Sequence, residues 1–431
     1  MNLQELLSNT LLRNYLKVFS VDVLVKGSGI ILLPIYLRLM TPEEFGLLGY
    51  LVAIVTTFSL VFGLGMYAAQ SKLYHEYNDP NKRKVMLGTL NTLLLSFIGL
   101  LFAIILITDI DFTAAHFLVK APIDYGRYRF SVLLGVIVGV YSTMLINYFL
   151  TTENITKVQQ LNLTRIVCTN AVVLTALYYI RDDDGVLIRL LGTNATELLI
   201  VGAFSYFYFR NMTFAFDKRI ARQAMAIGFP LLISAIVGIF INLSDRFFLE
   251  KYGTLKDLSI YNLALSVAGV IPFVFASFQS IWLPQFLKEK DIQSNRARAK
   301  RMVVRITAFM VVISVGIVGV MQVLLFLDII DDRYNAVLPL LPFVLVTSIV
   351  TALTTMYNNH LIYLNKLHVI IFTGIGIAIL GIIVNELLVP RFHIYGAAMS
   401  AFILNLSYLI VYSLMSKYYY DRVQHEGVER P

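Results

Sequence analysis

The chain has 431 residues, of which 58% are hydrophobic and only 14% are charged. Soluble domains carry about a quarter charged residues, so this composition excludes an ordinary soluble protein. The formal charge of +8 would suit nucleic acid, but the basic residues are distributed by loop, which membrane topology explains better. The one cysteine, Cys168, excludes an intramolecular disulfide and a cysteine-based metal site.

The first residues predict a short helix at the membrane surface. Leucines at positions 3, 6, 7 and 11 share one helical face and are mixed with polar residues. A signal peptide would place its charges first and a small-residue cleavage site after its apolar run. We therefore expect an interfacial helix that leads into the first membrane span.

Apolar stretches of about twenty residues then recur to the end of the chain. They predict an all-α integral membrane protein of about twelve transmembrane helices in two six-helix lobes. The spans lie near residues 16–40, 45–70, 85–108, 127–150, 161–181, 187–209, 222–249, 258–284, 303–327, 337–362, 368–390 and 394–416. The predicted N-lobe covers residues 1–211, a cytoplasmic linker covers 212–221, and the C-lobe with a cytoplasmic tail covers 222–431.

The loops set the orientation, because cytoplasmic loops carry an excess of Lys and Arg. With the N-terminus inside, most of the 35 basic residues fall in cytoplasmic segments, and the densest group lies at residues 288–305. Acidic clusters such as Asp331 and Asp332 fall outside. Both termini are therefore predicted to be cytoplasmic.

The two halves share a recognisable junction. Residues 37–48 correspond to residues 249–261, with Gly253 as a one-residue insertion. In each, a helix ends, a Thr (Thr41 or Thr254) opens an acidic first turn, and a new apolar helix begins. Chance similarity between two membrane hairpins is the alternative explanation. A true repeat predicts two parallel halves.

Two apparent motifs do not indicate a nucleotide-binding or metal site. Residues 63–68 fit a dinucleotide fingerprint by spacing, but they fall inside a predicted span, where glycines favour close helix packing. The six histidines show no metal-ligand spacing. We expect no cofactor, no metal site and no nucleic-acid partner.

Four groups of short motifs, in order along the chain, carry a family resemblance. They are Leu33-Pro34 with Thr41–Leu47; Gly228–Leu232 with Ser244–Arg246; Tyr261–Ala264 with Trp282–Pro284; and Val384-Asn385 with Val389–Arg391 and Tyr395–Ala398. With them the chain resembles the polysaccharide biosynthesis and export (O-antigen flippase-like) family of the multidrug/oligosaccharidyl-lipid/polysaccharide exporter superfamily.

The resemblance implies two six-helix lobes around a central cavity that opens alternately to each side of a bacterial inner membrane. It also implies a flippase whose cargo is an isoprenoid-pyrophosphate-linked oligosaccharide repeat unit, moved to the outer leaflet. Membrane lipids, a polysaccharide polymerase and chain-length machinery are the other partners considered.

Ionisable residues deep in spans are the candidate site residues, because leaving them in lipid costs several kcal/mol. Lys26 lies near the middle of the first span and suits a phosphate, although Asp22, four residues earlier, could simply neutralise it. Arg165, near the start of the fifth span, either binds cargo or reaches toward headgroups. Glu197 in the sixth span could carry a coupling proton or form an ion pair.

The seventh span supplies further candidates. Arg246 is assigned to cargo and Asp245 to coupling or ion pairing, although gating or anchoring at the interface explains both equally well. Pro34 and Pro230 occupy corresponding places in the two halves and are predicted hinges.

Three other functions are compatible with the composition. A small-molecule or multidrug exporter of the same superfamily would favour an acidic, aromatic cavity. A polysaccharide polymerase or ligase would need catalytic groups near the outer surface, usually in a long external loop, and no such loop is predicted. A structural assembly subunit has no feature in its favour. We therefore expect a transporter and not an enzyme.

The topology is testable with reporter fusions. Fusions after residues 71–84 and 295–305 should report cytoplasm, and fusions at residues 182–185 should report the opposite side, because the basic residues remain inside. Alkaline phosphatase and fluorescent-protein activities measure the side of each fusion. A reversed or odd-span map would contradict both the orientation and the division into lobes.

Overall fold

The computed structural model describes residues 29, 31–120, 123–180, 184–289, 291–364 and 366–426, and the secondary structure of this part is helical. Residues 31–39 form the described part of a first helix, here α1. The others, α2 to α15 in order, are Pro42–Phe62, Met66–Glu76, Pro80–Thr108, Ile110–Leu118, Tyr125–Thr151, Ile155–Tyr179, Gly185–Phe209, Lys218–Asn242, Ser244–Tyr252, Leu255–Ala268, Val270–Lys288, Ile292–Phe326, Val337–Tyr363 and Leu367–Glu426.

Nine helical segments of the described part are long and apolar enough to cross a membrane. The all-α membrane class predicted from the sequence is therefore confirmed, while the count of twelve stays a prediction. Most of the first predicted span lies outside the described residues, and the seventh, at α9, is not among the nine.

The last of the nine segments, within α15, contains two predicted spans because the chain reverses direction at His393. That residue has φ 47° and ψ −120°, which interrupts the helix. A Cβ on Gly396 would lie 2.4 Å from the carbonyl oxygen of Leu388, a contact that a straight helix could not make. A Cβ on Gly381 would likewise lie 3.3 Å from Cδ1 of Leu404. The spans predicted at 368–390 and 394–416 are thus the two arms of one helical hairpin.

The chain divides into two compact units, residues 1–239 and 240–431, and the division falls within α9. The predicted linker at 212–221 stays a prediction, but Met212 and Ile220 are buried in the core of the first unit. Helix α6 is central to that unit and packs on α2, α3, α7 and α8. Buried aliphatic and aromatic side chains of these helices form the core.

The second unit is organised around α14, which packs on α11, α12, α13 and α15. Both α6 and α14 have 27 residues, and each is the fourth predicted span of its half. In both, half of the most apolar stretch is buried inside the protein. Equal length and burial at corresponding places in the two halves are what a repeat would produce, and the repeat itself stays a prediction.

The predicted helix starts at the two junctions are confirmed in detail. Thr41 and Thr254 are both N-caps, and each forms a reciprocal capping box with the acidic residue three positions later, Glu44 or Asp257. Glu44 does more: its Oε2 accepts from the Thr41 amide at 2.7 Å, and its Oε1 accepts from the Gly185 amide at 2.9 Å. One carboxylate therefore satisfies amides at the starts of two helices, α2 and α8.

Two local expectations were wrong. Residues 63–65 are not inside a helix: they form a turn between α2 and α3, with Leu64 and Gly65 at φ 49° and 63°. The basic group from residue 292 onward is not in a loop but lies on the first turns of α13, which begins after the N-cap Asp291. Hydropathy gave no signal for this helix start, because its first turns are charged and polar.

The close packing predicted at residues 63–68 is present across that turn. A Cβ on Gly65 would lie 2.8 Å from the carbonyl oxygen of Gly228 in α9, and a Cβ on Gly228 would lie 2.3 Å from that of Leu64. Only glycine at both positions lets these two backbones approach so closely.

We expect Gly228→Ala to destabilise the chain by about 1–3 kcal/mol, because its methyl group would overlap the Leu64 carbonyl. Gly202→Ala is the matched control, since nothing lies within 4 Å of that Cβ in α8. The control should be neutral or stabilising by up to about 1 kcal/mol. The apparent unfolding temperature in detergent measures both, and equal temperatures would contradict the close approach.

Candidate functional site

The charged residues predicted at the site fall into three groups. Lys26 and Asp22 lie outside the described residues. Arg165 and Glu197 lie in the first unit, and Asp245 and Arg246 lie in the second. The first of these described groups is an ion pair between two helices, and the second lines a cavity.

Arg165 and Glu197 form an ion pair between α7 and α8, with 2.6 Å between Nε and Oε1. The Arg165 guanidinium also donates to the hydroxyl of Ser142 on α6. Helix α7 begins at Ile155, earlier than the predicted span, so Arg165 lies about 15 Å along it and not in its first turn. Both side chains are mostly buried, with 26% and 19% exposed. A guanidinium and a carboxylate are thus held together near the middle of two membrane helices.

A second cation of the first unit, Arg189, was missed by the sequence reasoning. Its guanidinium carbon lies 3.6 Å from the ring centroid of Tyr36, whose hydroxyl donates to Asn170 Oδ1 at 2.7 Å. Arg189 makes no ion pair within the described part of the chain. Arg189 lies within the span predicted at residues 187–209 but close to its start, and it was not selected as a candidate. The N-cap residue Asp184 was the available signal, since it marks the true start of α8.

In the second unit, Asp245 and Arg246 line a cavity of about 280 Å³. Asp245 Oδ2 accepts from the Tyr261 hydroxyl at 2.6 Å, and Arg246 Nε donates to Asn262 Oδ1 at 3.1 Å. Tyr261 and Asn262 belong to one of the motifs that carried the family resemblance, but the sequence gave them no role. The structure identifies them as the partners of the two charged side chains.

Hydroxyl and amide groups also line this cavity, and the sequence reasoning did not select them. They come from α14 and α15 and are Thr347, Ser348, Thr351, Asn405 and Tyr408. Thr351 donates to Asn405 Oδ1 at 2.8 Å, which ties the two helices together. Polar residues at positions 347, 351 and 355 of an apolar helix share one face, and this spacing was the signal.

The arrangement suits recognition of a polar ligand. Guanidinium groups bind phosphate or carboxylate, and hydroxyl and amide groups bind sugars or water. No group of three or more His, Cys, Asp or Glu residues in the described segments could hold a metal ion.

The two predicted hinge residues both lie in helices. Pro34 lies within helical residues 31–39, and Pro230 lies inside α9, two residues after the tightly packed Gly228. A proline in a helix interior removes one backbone hydrogen bond and favours a kink. Whether either bends during function stays a prediction.

Comparison with known sequences decides the family. The sequence pattern of the family described as polysaccharide biosynthesis protein matches residues 11–290. The chain belongs to this family. No curated protein sequence matches the chain significantly.

Solved structures with the same fold are transporters of the MOP superfamily. An inward-facing multidrug resistance MATE family transporter aligns with a TM-score of 0.70 at 11% identity, over 95% of this chain and 96% of that one. The lipid II flippase MurJ, in an inward closed conformation, aligns with a TM-score of 0.69 at 15% identity, over 93% and 87%. A MOP superfamily transporter from Pyrococcus furiosus aligns with a TM-score of 0.56 at 12% identity, over 95% and 94%. At these identities the similarity establishes the fold.

Loss of one member of the Arg165–Glu197 pair should destabilise the first unit, because the other charge would stay in a poorly solvated place. We expect Glu197→Gln and Arg165→Gln each to cost about 1–3 kcal/mol, allowing for the partial exposure of both side chains. The exchange of both, Arg165→Glu with Glu197→Arg, should recover most of the loss.

Lys72→Gln is the control, because the exposed Lys72–Glu76 pair is worth less than about 0.5 kcal/mol. Thermal unfolding in detergent measures all four variants. If the single variants were as stable as the Lys72 variant, the Arg165–Glu197 pair would make no contribution to the stability of the protein.

Proposed function

We propose that this protein is a flippase that moves an isoprenoid-pyrophosphate-linked oligosaccharide repeat unit from the cytoplasmic to the outer leaflet of a bacterial inner membrane, by alternating access. The observation that carries the proposal is a set of guanidinium groups on the helices: Arg165 and Arg189 on the spanning helices α7 and α8, and Arg246 on the short helix α10. Such residues are costly in lipid and mark polar pathways. Family membership and the fold shared with a lipid II flippase support it.

The proposed roles follow the chemistry of the cargo. A pyrophosphate needs fixed cations, and we assign this role to Arg165, Arg246 and Lys26. The sugars need hydrogen-bonding groups, which the hydroxyl and amide groups of the second-unit cavity supply. No step in this transport requires a covalent change in the cargo, so the proposal contains no catalytic residue. A polysaccharide polymerase and its chain-length machinery are proposed as the next users of the cargo.

Coupling to an ion is part of the proposal. Asp245 accepts a hydrogen bond from Tyr261 and makes no ion pair within the described residues, so its charge is open to a proton or a cation. Glu197, in contrast, already contacts a guanidinium. We therefore favour Asp245 for coupling and Glu197 for a fixed ion pair. Asp22 is retained as the ion-pair partner proposed for Lys26.

A multidrug exporter is the second candidate, because a multidrug resistance transporter has the same fold. An exporter of organic cations would favour carboxylates and aromatic rings over guanidinium groups. The second-unit cavity contains one carboxylate and one guanidinium, and the first unit adds the Arg165–Glu197 pair and Arg189, which has no carboxylate partner within the described residues. This charge balance favours an anionic cargo.

Deletion of the gene should strand lipid-linked repeat units on the cytoplasmic leaflet while surface polymer falls, because the polar head cannot cross hydrocarbon unaided. Leaflet-selective enzymatic labelling of the lipid-linked sugars measures this. Complementation with Arg246→Gln should restore protein level but little export, whereas Arg222→Gln, at an exposed position, should restore both.

Two outcomes would contradict the flippase proposal. If lipid-linked repeat units reached the outer leaflet normally but stayed unpolymerised, the result would favour a polysaccharide polymerase. Normal surface polymer together with increased drug sensitivity would favour the multidrug exporter.

A further inference from the structure

A second polar cavity lies at one end of the first unit, and none of the residues that line it belongs to the Arg165–Glu197 pair. It has a volume of about 350 Å³ and lies where α3 ends and where α4 and α7 begin. The excess of Lys and Arg predicts that this end is cytoplasmic. Its lining combines Arg83 and Lys84 with the amides of Asn154 and Asn211 and with aromatic rings.

Arg83 is held rigidly in this cavity. Its Nε donates to two backbone carbonyls at the end of α3, those of Tyr74 at 3.1 Å and Tyr77 at 2.6 Å. Its guanidinium carbon also lies 4.6 Å from the centroid of the Tyr74 ring. The two terminal nitrogens make no hydrogen bond or ion pair within the described residues. A fixed guanidinium with two unused nitrogens is suited to bind a pair of oxygens on one anion.

Two lysines add to the positive charge. Lys84 lines the cavity and is exposed. Lys157, in the first turn of α7, holds its Nζ 3.8 Å from the ring centroid of Phe207, and Phe207 is part of the lining. Like Arg83, neither lysine has a carboxylate partner in the part of the chain that the structure describes.

The nearest acidic residues in sequence do not neutralise the three cations. Asp79 is the N-cap of α4 and accepts from the Asn81 amide at 2.9 Å. Glu153 is exposed and precedes the N-cap of α7. Within the described residues, neither carboxylate forms an ion pair.

One helix start adds to the field of these side chains. Pro80, the first residue of α4, and Asn154, the N-cap of α7, both line the cavity. Each helix carries a partial positive charge at its N-terminus, but at α4 the capping carboxylate of Asp79 offsets it, whereas α7 is capped by the neutral amide of Asn154. Three side-chain cations and the dipole of α7 therefore act on one cavity, which makes it a site for an anion with several oxygens.

The neighbouring residues indicate where that anion comes from. Tyr148, Phe149 and Phe207 form an aromatic wall, as is usual at the level of lipid headgroups. Leu150 and Tyr206, adjacent to them in sequence, are exposed apolar side chains on spanning helices. The cavity thus lies beside surfaces that face hydrocarbon, within reach of a lipid whose tails stay in the membrane.

We propose that this cavity binds the phosphate headgroup of an anionic phospholipid of the adjacent leaflet. The guanidinium of Arg83 contacts the phosphate oxygens, Lys84 and Lys157 supply charge, and Asn154 and Asn211 bind the polar alcohol of the headgroup. Tight binding here would hold the starts of α4 and α7 in one arrangement. The proposal does not depend on the cargo of the transporter.

Native mass spectrometry of the full chain in detergent tests the proposal by titration with dioleoyl phosphatidylglycerol or dioleoyl phosphatidylcholine. The wild type should bind phosphatidylglycerol at least tenfold more tightly. The variant Arg83→Gln, Lys84→Gln, Lys157→Gln should lose at least tenfold in affinity for it, because each basic group near an anionic lipid contributes measurably. Lys72→Gln, Lys82→Gln, Arg222→Gln removes the same charge from exposed positions outside the lining and should stay within twofold of wild type.

Three results would overturn the proposal: an equal loss in both triple variants, no preference over phosphatidylcholine, or binding of inorganic phosphate at the same concentrations as the lipid. The last would identify a site for a soluble anion. Should the triple variant be unstable, Lys84→Gln alone serves, because that side chain is exposed and its loss should weaken phosphatidylglycerol binding about threefold. Export measurements are not used, so a negative result here leaves the flippase proposal untouched.

Discussion

A polar group inside a lipid bilayer has no water with which to hydrogen-bond, and each group left without a partner costs several kcal/mol. Much of this chain is arranged by that constraint. Side chains supply such partners at the helix starts as well: the single carboxylate of Glu44 caps its own helix and also accepts from the first amide of α8, 141 residues away in sequence. The corresponding Asp257 completes the capping box of Thr254 in the second unit. Side chains thereby satisfy backbone amides at these helix starts.

The same constraint explains how ionisable groups persist within the spans. Arg165 has a carboxylate and a hydroxyl from two other helices, and Asp245 has a tyrosine hydroxyl. A shape-matched apolar core would be at least as stable as such polar contacts. Their retention is thus better explained by what they bind or move than by what they stabilise.

Features encoded locally were predictable from the sequence, and features that depend on which faces meet were not. The capping boxes at Thr41 and Thr254 and the two arms of the α15 hairpin follow from short patterns of residues. The turn at residues 63–65 could not be predicted, because its left-handed residues occur within an uninterrupted apolar run. Arg189 was not selected because it lies close to the start of its predicted span. The second-unit cavity depends on α14 meeting α15, which no single segment encodes. The roles proposed for Lys26 and Asp22 rest on sequence alone.

The one thiol of the chain has a practical consequence. Cys168 is exposed on α7, one turn beyond the arginine that pairs with Glu197. Because the native chain contains no other cysteine, a single spectroscopic reporter can be attached there without altering any residue. A spin label or a polarity-sensitive fluorophore at this position would report on the surroundings of α7 in the working protein. Movements of the helix could then be followed in real time, in a membrane and under an ion gradient.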